Sequence, residues 1–422
     1  MKRWLLLLSQ LCLSTQISAA PEQLFKPLPA DVTPQLSQFG DYAVGVKTVS
    51  VTIENYQNPF NPGLDSRSLT LETWYPATAG SGERASYINE TRSGAVFELA
   101  GQASRDASPL ESEQYPVVVI SHGYTGYRTI MFHIAEHLAS HGYIVIGIDH
   151  TDSTNADVDF AVDPGAGFLS TLVNRSLDQQ FVLDWVLDDS FLTKISDAKR
   201  AGLIGYSMGG YGALNTIGGC YAFTEHHVAA ISGSQDSAAN QALAMGLNQC
   251  AARRPQGADL RWKAAILIAP WGGQHQVFAP DSLAEIKVPS LYIAGDLDDI
   301  SGYSGIHWLY EQHQLPATQM LTYHYARHNI APHPAPSAAM SNELDIGHYW
   351  DATWDMQALA MTNQHFTLAM MNCHVKQSSD ACKYLGVRGS SNQHPIDGKK
   401  PDPWMGFDDR YSTGMSMQAK QP

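Results

Sequence analysis

The sequence predicts an α/β protein with a mostly parallel sheet covered by helices on both faces, and three observations carry that expectation. Short apolar runs recur near Val117, Tyr143, Ala201, Ala264, Ser290 and Met320. Helical patterns after residues 128, 175, 207, 303 and 350 alternate with them, and strands that alternate with helical segments pair in parallel through crossover connections. Hydrophobic residues make up 44% of the 422 positions, ample for a sheet buried on both faces.

Taken in order, the chain opens with Met1-Lys-Arg, a short apolar core from Trp4 to Leu13 and the small residues Ser18-Ala-Ala20. This is the pattern of a cleaved export signal over residues 1–20. The apolar run is shorter than the ~20 residues a membrane span needs, and Cys12 lacks the small residue usual before a lipidated cysteine. A periplasmic or secreted protein, cleaved near Ala20, is expected. A pair of strands follows, Val44 to Glu54 and Ser68 to Tyr75. No Pro/Ser-rich linker or internal repeat divides the remainder, so one domain is expected over 21–389. Within it, residues 221–261 break the rhythm with Ser-, Gln-, Asn- and Ala-rich turns and short helices, which reads as a lid-like insertion. Residues 390–422, with Gly, Pro, Lys and Asp, read as a loosely ordered tail.

The chemistry starts at Ala201-Gly-Leu-Ile-Gly-Tyr-Ser-Met-Gly-Gly210, where a serine stands between two glycines after an apolar run and before a helical segment. A serine hydroxyl is a poor nucleophile in water, so it must be presented on a tight strand-to-helix turn, within reach of a base and of backbone N–H groups that can receive an oxyanion. Ser207 takes that apex, and Gly205 and Gly209 leave room for the turn. Upstream, Tyr115 to Gly126 is a buried strand that breaks into Ser-His-Gly-Tyr-Thr-Gly. That loop and the residue after the serine place the N–H groups of Tyr124 and Met208 as the expected oxyanion donors.

A serine nucleophile also needs a base and an acid. Val288 to Ile300 is a short apolar strand that ends in a carboxylate cluster. Asp298, three residues after Gly295, is the expected acid; Asp296 and Asp299 compete with it, and any of the three could instead cap the next helix. Gln319 to His328 is a final strand that runs into a histidine-rich loop, which makes His328 the expected base, with His324, His333 and His348 as rivals. Trp271, ending the run Ile266-Leu-Ile-Ala-Pro-Trp271, should project at the carboxyl edge of the sheet as a wall of the substrate site. The alternative for Trp271 is a core position.

The run Val117 to Asp152, with Ser121-His-Gly, Tyr127-Arg-Thr129, Leu138 to Tyr143 and Asp149-His150, resembles the platelet-activating-factor acetylhydrolase and dienelactone-hydrolase-like branch of the α/β-hydrolases. Trp74-Tyr-Pro76, Asn174-Arg with Asp178, and Met320-Leu-Thr322 ahead of His328 add to the resemblance, which covers roughly residues 42 to 385 and is patchy between 212 and 262. It implies an α/β-hydrolase fold with chain order Ser, Asp, His. One departure matters: acetylhydrolases carry the acid on the strand after the nucleophile, where Ile266 to Trp271 has no carboxylate. Asp298 must then serve as in bacterial lipases and polyester-degrading cutinases, whose Ala-Pro-Trp and Gly-x-x-Asp segments Ala269 to Trp271 and Gly295 to Asp298 resemble.

The formal charge is −15, and it becomes −17 once Lys2 and Arg3 leave with a signal peptide. Such a surface argues against nucleic acid and anionic membranes as partners. Without Cys12, the cysteines are Cys220, Cys250, Cys373 and Cys382, an even number for an oxidising compartment with three possible pairings. Cys220–Cys250 and Cys373–Cys382 are the expected pairs, the first bracketing the insertion and contributing roughly 3 to 4 kcal/mol by loop entropy. His133-Ile-Ala-Glu-His137 satisfies a helical zinc-peptidase pattern, but it should lie along an outer helix away from the cleft. A non-catalytic binding protein would have to treat serine, acid and base as coincidence. The sequence thus leads to a serine carboxylic-ester hydrolase acting through an acyl-enzyme on short-chain or aromatic esters, with no metal or organic cofactor expected. A phospholipase A2-type acetylhydrolase and a polyester hydrolase are the alternatives within that class.

Overall fold

The computed structural model describes residues 20–56, 63, 65–392, 402–408 and 412–420. The expected signal peptide, Ala20 apart, lies outside the described residues. The strands are β1 (Ala43–Glu54), β2 (Ser66–Ala77), β3 (Glu83–Glu90), β4 (Val96–Arg105), β5 (Tyr115–Ser121), β6 (Ile144–Asp149), β7 (Ser196–Tyr206), β8 (Trp262–Ile268), β9 (Ser290–Gly295), β10 (Gln319–Tyr323), β11 (Gly389–Ser390) and β12 (Met415–Ala419). The helices are α1 (Phe132–Ser140), α2 (Phe168–Asp188), α3 (Met208–Thr216), α4 (Glu225–Ser232), α5 (Ser237–Leu247), α6 (Pro280–Ala284), α7 (Tyr303–Gln312), α8 (Glu343–Ile346), α9 (Met356–His374) and α10 (Ser379–Cys382).

One sheet runs β11-β12-β10-β9-β8-β7-β5-β6-β2-β1-β4-β3. Its centre, β10-β9-β8-β7-β5-β6, is parallel throughout. These strands are apolar without alternation because both faces are covered: every residue of β5 and of β9 is buried. The two covers can be read from β7, where a Cβ at Gly202 would meet the Met371 sulfur of α9, whereas one at Gly205 would meet the backbone of Gly209 in α3. Helix α1 packs on α9, and α2 packs on α3.

The flank beyond β6, antiparallel except where β1 meets β4, is larger than the pair of strands the sequence predicts. β3 and β4 form an additional hairpin beyond β1, with Ala85, Tyr87, Phe97, Leu99 and Ala103 turned inward. Its alternation is diluted by small residues, which is why the apolar pattern misses it. The expectation of a loose tail from residue 390 is corrected at 415–419. There β12 pairs antiparallel with the whole of β10, burying Met415 and Met417 and covering an otherwise open sheet edge.

Disulfides join Cys220 to Cys250 and Cys373 to Cys382. The first closes the base of residues 221–249, whose helices α4 and α5 pack on each other, and the second ties the end of α9 to α10.

Candidate active site

The turn at the end of β7 is set by its glycines. A Cβ on Gly205 would stand 2.4 Å from the Gly209 carbonyl oxygen, and one on Gly209 would stand 2.0 Å from the Ser121 carbonyl oxygen. Between them Ser207 adopts φ +53°, ψ −114°, a region that side chains rarely enter. Neighbouring strands hold it there: the Ser207 N–H donates to the Ile268 carbonyl at 2.9 Å, and its own carbonyl accepts the Trp271 N–H at 3.1 Å. A buried strained backbone over-determined by its neighbours is what an exposed-apex nucleophile requires.

From Ser207 a hydrogen-bonded row runs inward. His328 Nε2 lies 3.0 Å from Ser207 Oγ, and His328 Nδ1 lies 2.8 Å from Asp298 Oδ2. The other carboxylate oxygen of Asp298 accepts the N–H groups of Ile300, Ser301 and Gly302 at 2.9, 2.8 and 3.2 Å. Asp298 follows β9 and His328 follows β10, so two separate loops must meet. Gly295 permits this, because a Cβ there would stand 2.3 Å from the Ala326 carbonyl oxygen of the His328 loop. Burial acts to raise the Asp298 carboxyl, but the His328 imidazole and the backbone donors outweigh it and hold the group below the ordinary carboxylate range. A carboxylate kept ionised beside Nδ1 fixes the imidazole with a proton on Nδ1 and a lone pair on Nε2 facing the serine.

The rivals go elsewhere. Asp296 accepts from His324 Nδ1 at 2.9 Å and from the Tyr325 N–H, and Asp299 pairs with Arg327 at 2.7 Å. His333 bonds the buried Tyr127 hydroxyl at 2.6 Å, and His348 is enclosed with its Nδ1 unpartnered among the described residues. His133 and His137 lie buried along α1, where both oxygens of Glu136 are occupied by the N–H groups of Gln102 and Ala103 and the Tyr87 hydroxyl. Those bonds tie the Glu136 carboxylate to the backbone of β4 and to Tyr87.

The loop after β5 crosses directly over the serine: a Cβ on Gly123 would stand 3.1 Å from the Ser207 Cβ. The loop continues into Tyr124, and Met208 opens α3 directly after Ser207; neither backbone N–H donates a hydrogen bond among the described residues. Trp271, whose N–H donates to the Ser207 carbonyl, lines a cavity of about 800 Å³ together with Phe168, Leu169, His226, Ile231 and His275, while Ser207, His328, Tyr124 and Met208 are not among its lining residues. Trp271 is nearly covered, with its ring edge-on to Phe168 at 5.6 Å and to Tyr211 at 5.5 Å, and Phe168 stands edge-on to Tyr124 at 5.3 Å. Phe168, the first residue of α2, and the α4 histidines carry no local motif; Phe168 reaches Trp271 by ring contact, and His226 and His227 share the lining of its cavity.

The family "Platelet-activating factor acetylhydrolase, isoform II" matches residues 77–166. Cutinase est1 of Thermobifida alba is 28% identical over 251 residues, which cover 58% of this chain and 61% of that protein. Platelet-activating factor acetylhydrolase of Cavia porcellus is 30% identical over 146 residues, covering 26% of this chain and 34% of that protein. The chain thus spans less than two thirds of the length of either relative. A structure titled as a ferulic acid esterase from Streptomyces cinnamoneus superposes with a TM-score of 0.56 at 19% identity, over 85% of this chain and 94% of that one. With the sheet order and site geometry above, these likenesses show that the chain has the α/β-hydrolase fold and is similar in sequence to cutinases and platelet-activating-factor acetylhydrolases.

Proposed function

We propose that this chain is an exported serine carboxylic-ester hydrolase that acts through an acyl-enzyme on short-chain or aromatic esters. The observation that carries the proposal is the row from Ser207 Oγ through His328 to Asp298, 3.0 and 2.8 Å long, at the strained apex between β7 and α3. His328 Nε2 takes the hydroxyl proton as Ser207 Oγ bonds to the ester carbonyl carbon, and the charge on the carbonyl oxygen falls to the Met208 and Tyr124 N–H groups. The C–O bond to the alcohol breaks as His328 returns the proton to the leaving oxygen. Water then repeats the sequence on the acyl-enzyme, releasing the acid.

The cavity beside Trp271 suits the acyl group: its aromatic walls favour a short or planar group, and residues 221–261 serve as its lid through α4. The two disulfides and the Met1 to Ala20 pattern support export. A second reading, hydrolysis of polyesters, is favoured by Leu297, Ile300, Tyr325 and Trp350, all more than half exposed on or against the loops that carry Asp298 and His328. Ser207→Ala should lower kcat by several orders of magnitude with folding intact. It should also abolish labelling by a fluorophosphonate probe while wild-type activity persists in chelator. Equal labelling of variant and wild type overturns the assignment, and a panel of butyrate, benzoate and palmitate esters beside a polyester film separates the substrate readings.

A further inference from the structure

Behind the loop that crosses Ser207 lies a buried polar cluster that the reaction does not use. Asp178 of α2 accepts Arg67 Nε and Nη2 at 2.8 and 2.9 Å and His150 Nδ1 at 2.9 Å, and His150 Nε2 meets Ser121 Oγ at 2.8 Å. Burial pushes His150 down to about 3, so it is neutral, protonated on Nδ1, and accepts the Ser121 hydroxyl. The backbone N–H of His150 in turn donates to His122 Nε2 at 3.2 Å, which leaves the His122 proton on Nδ1, facing the Gly123 carbonyl oxygen. Arg175 Nη2 donates to that same oxygen at 3.1 Å, and the Gly126 N–H closes a turn on it at 3.1 Å.

We propose that Arg175 and His122 are positioning residues that aim the Tyr124 N–H at the oxyanion by clamping the carbonyl of the same peptide group. This rests on the Ser207 reading above. The peptide joining Gly123 to Tyr124 is planar and trans, so its C=O and N–H point in opposite directions. Pinning the oxygen on the protein side therefore turns the N–H to the cleft side. The Gly126 bond only shapes the turn; Arg175 and His122 tie it to α2 and to the start of the loop after β6. A charged donor on the carbonyl also polarises the peptide and strengthens its N–H as a donor.

Arg175 is otherwise hard to explain. It is 1% exposed, its Nε and Nη1 have no partner, and no carboxylate touches it among the described residues, because Asp178 is committed to Arg67 and His150. Burial lowers its guanidinium to about 9, so at neutral pH it is still a cation. A buried, half-bonded charge opposes folding, and such a breach of the packing rules is expected where a site needs it.

The test compares wild type, Arg175→Met, Arg175→Lys and His122→Asn on a soluble short-chain ester, with kcat, KM, Tm and the affinity of a boronic acid that forms a tetrahedral adduct on Ser207. Misaiming one oxyanion donor should lower kcat by about 30- to 100-fold for Arg175→Met, with KM within about threefold. Boronate affinity should fall in parallel, and Arg175→Lys should recover at least about tenfold by returning a cation to the Gly123 oxygen. His122→Asn should show the same split at smaller size, and it decides the matter if Arg175→Met fails to fold. Wild-type kcat and boronate affinity in these variants, whatever their Tm, overturn the clamp. Failure of the fluorophosphonate to label wild-type Ser207 instead overturns the reading beneath it.

Discussion

Replacing Asp298 by asparagine changes one atom, and the structure determines which way the new amide must face. Oδ1 accepts three backbone N–H groups, from Ile300, Ser301 and Gly302. Only the asparagine carbonyl can take that place, since turning its NH2 there would break three hydrogen bonds at about 1 kcal/mol each and set donors against donors. The NH2 must then face His328 Nδ1. A donor at that point makes Nδ1 an acceptor and moves the ring proton to Nε2, where it points at Ser207 and cannot receive the hydroxyl proton. Loss of the correct tautomer and of the charge that stabilises the imidazolium should cost about 10⁴-fold in kcat, or roughly 5.4 kcal/mol of transition-state stabilisation. The fold should hold, because the backbone donors keep their acceptor. The assay is steady-state hydrolysis of a chromogenic short-chain ester with Tm measured alongside, comparing Asp296→Asn and Asp299→Asn. Those two should stay near wild type, since Asp296 serves the half-exposed His324 and Asp299 an exposed arginine. A kcat for Asp298→Asn within tenfold of wild type, or a larger loss from Asp299→Asn, would refute the reasoning.

How much of this was legible before the structure depends on how local each signal is. Ser207 is legible because its turn chemistry is confined to five residues, and the parallel core because β5, β9, the second half of β7 from Ala201 and the end of β8 from Ala264 are short buried runs rich in apolar residues. The acid and base are less local. His324 and His328 each have an aspartate partner at nearly the same chain separation, and both histidine–aspartate distances are within 0.1 Å of each other. What separates the pairs is that Gly295 lets the Ala326–Arg327 backbone press against β9 and carries His328 back over Ser207. The edges of the sheet were the least legible. β12 forms from a tail of Gly, Ser and Met because β10 offers an unpaired edge, a property of β10 rather than of the tail. The clamp on Gly123 was visible only as Asn174-Arg and Asp178 within a resemblance. Its meaning comes from α2, which lies some fifty residues downstream of the loop it holds.

Two further outcomes follow from burial. His133, His137, His150, His313 and His365 are pushed down to about 3 and His333 to about 4, in each case first by burial. Their folded values lie below the ordinary 6.5, so the unfolded chain binds more protons between these limits. The stability they contribute is complete above pH 6.5 and lost as pH falls toward 3. Two such groups alone give a slope of about 2.7 kcal/mol per pH unit. Tm should therefore drop steeply between pH 6 and 4.5, and a flat Tm across that range would mean these rings meet water. The last outcome concerns Trp271. Its backbone N–H holds the Ser207 carbonyl and survives Trp271→Ala, so any change in rate must come from the indole. Trp271 is 8% exposed, packs edge-on to Phe168 and lines the cavity of about 800 Å³. An aromatic acyl group that stacks on it loses roughly 0.5–1.5 kcal/mol when the ring is removed, plus the apolar contact. The kcat/KM on a benzoate ester should thus fall about tenfold further than on butyrate, and Trp271→Phe should recover most of the difference. Equal losses on benzoate, butyrate and palmitate, with a lowered Tm, would assign the indole to the core that supports α2 and α3, and the acyl wall would have to be sought in α4.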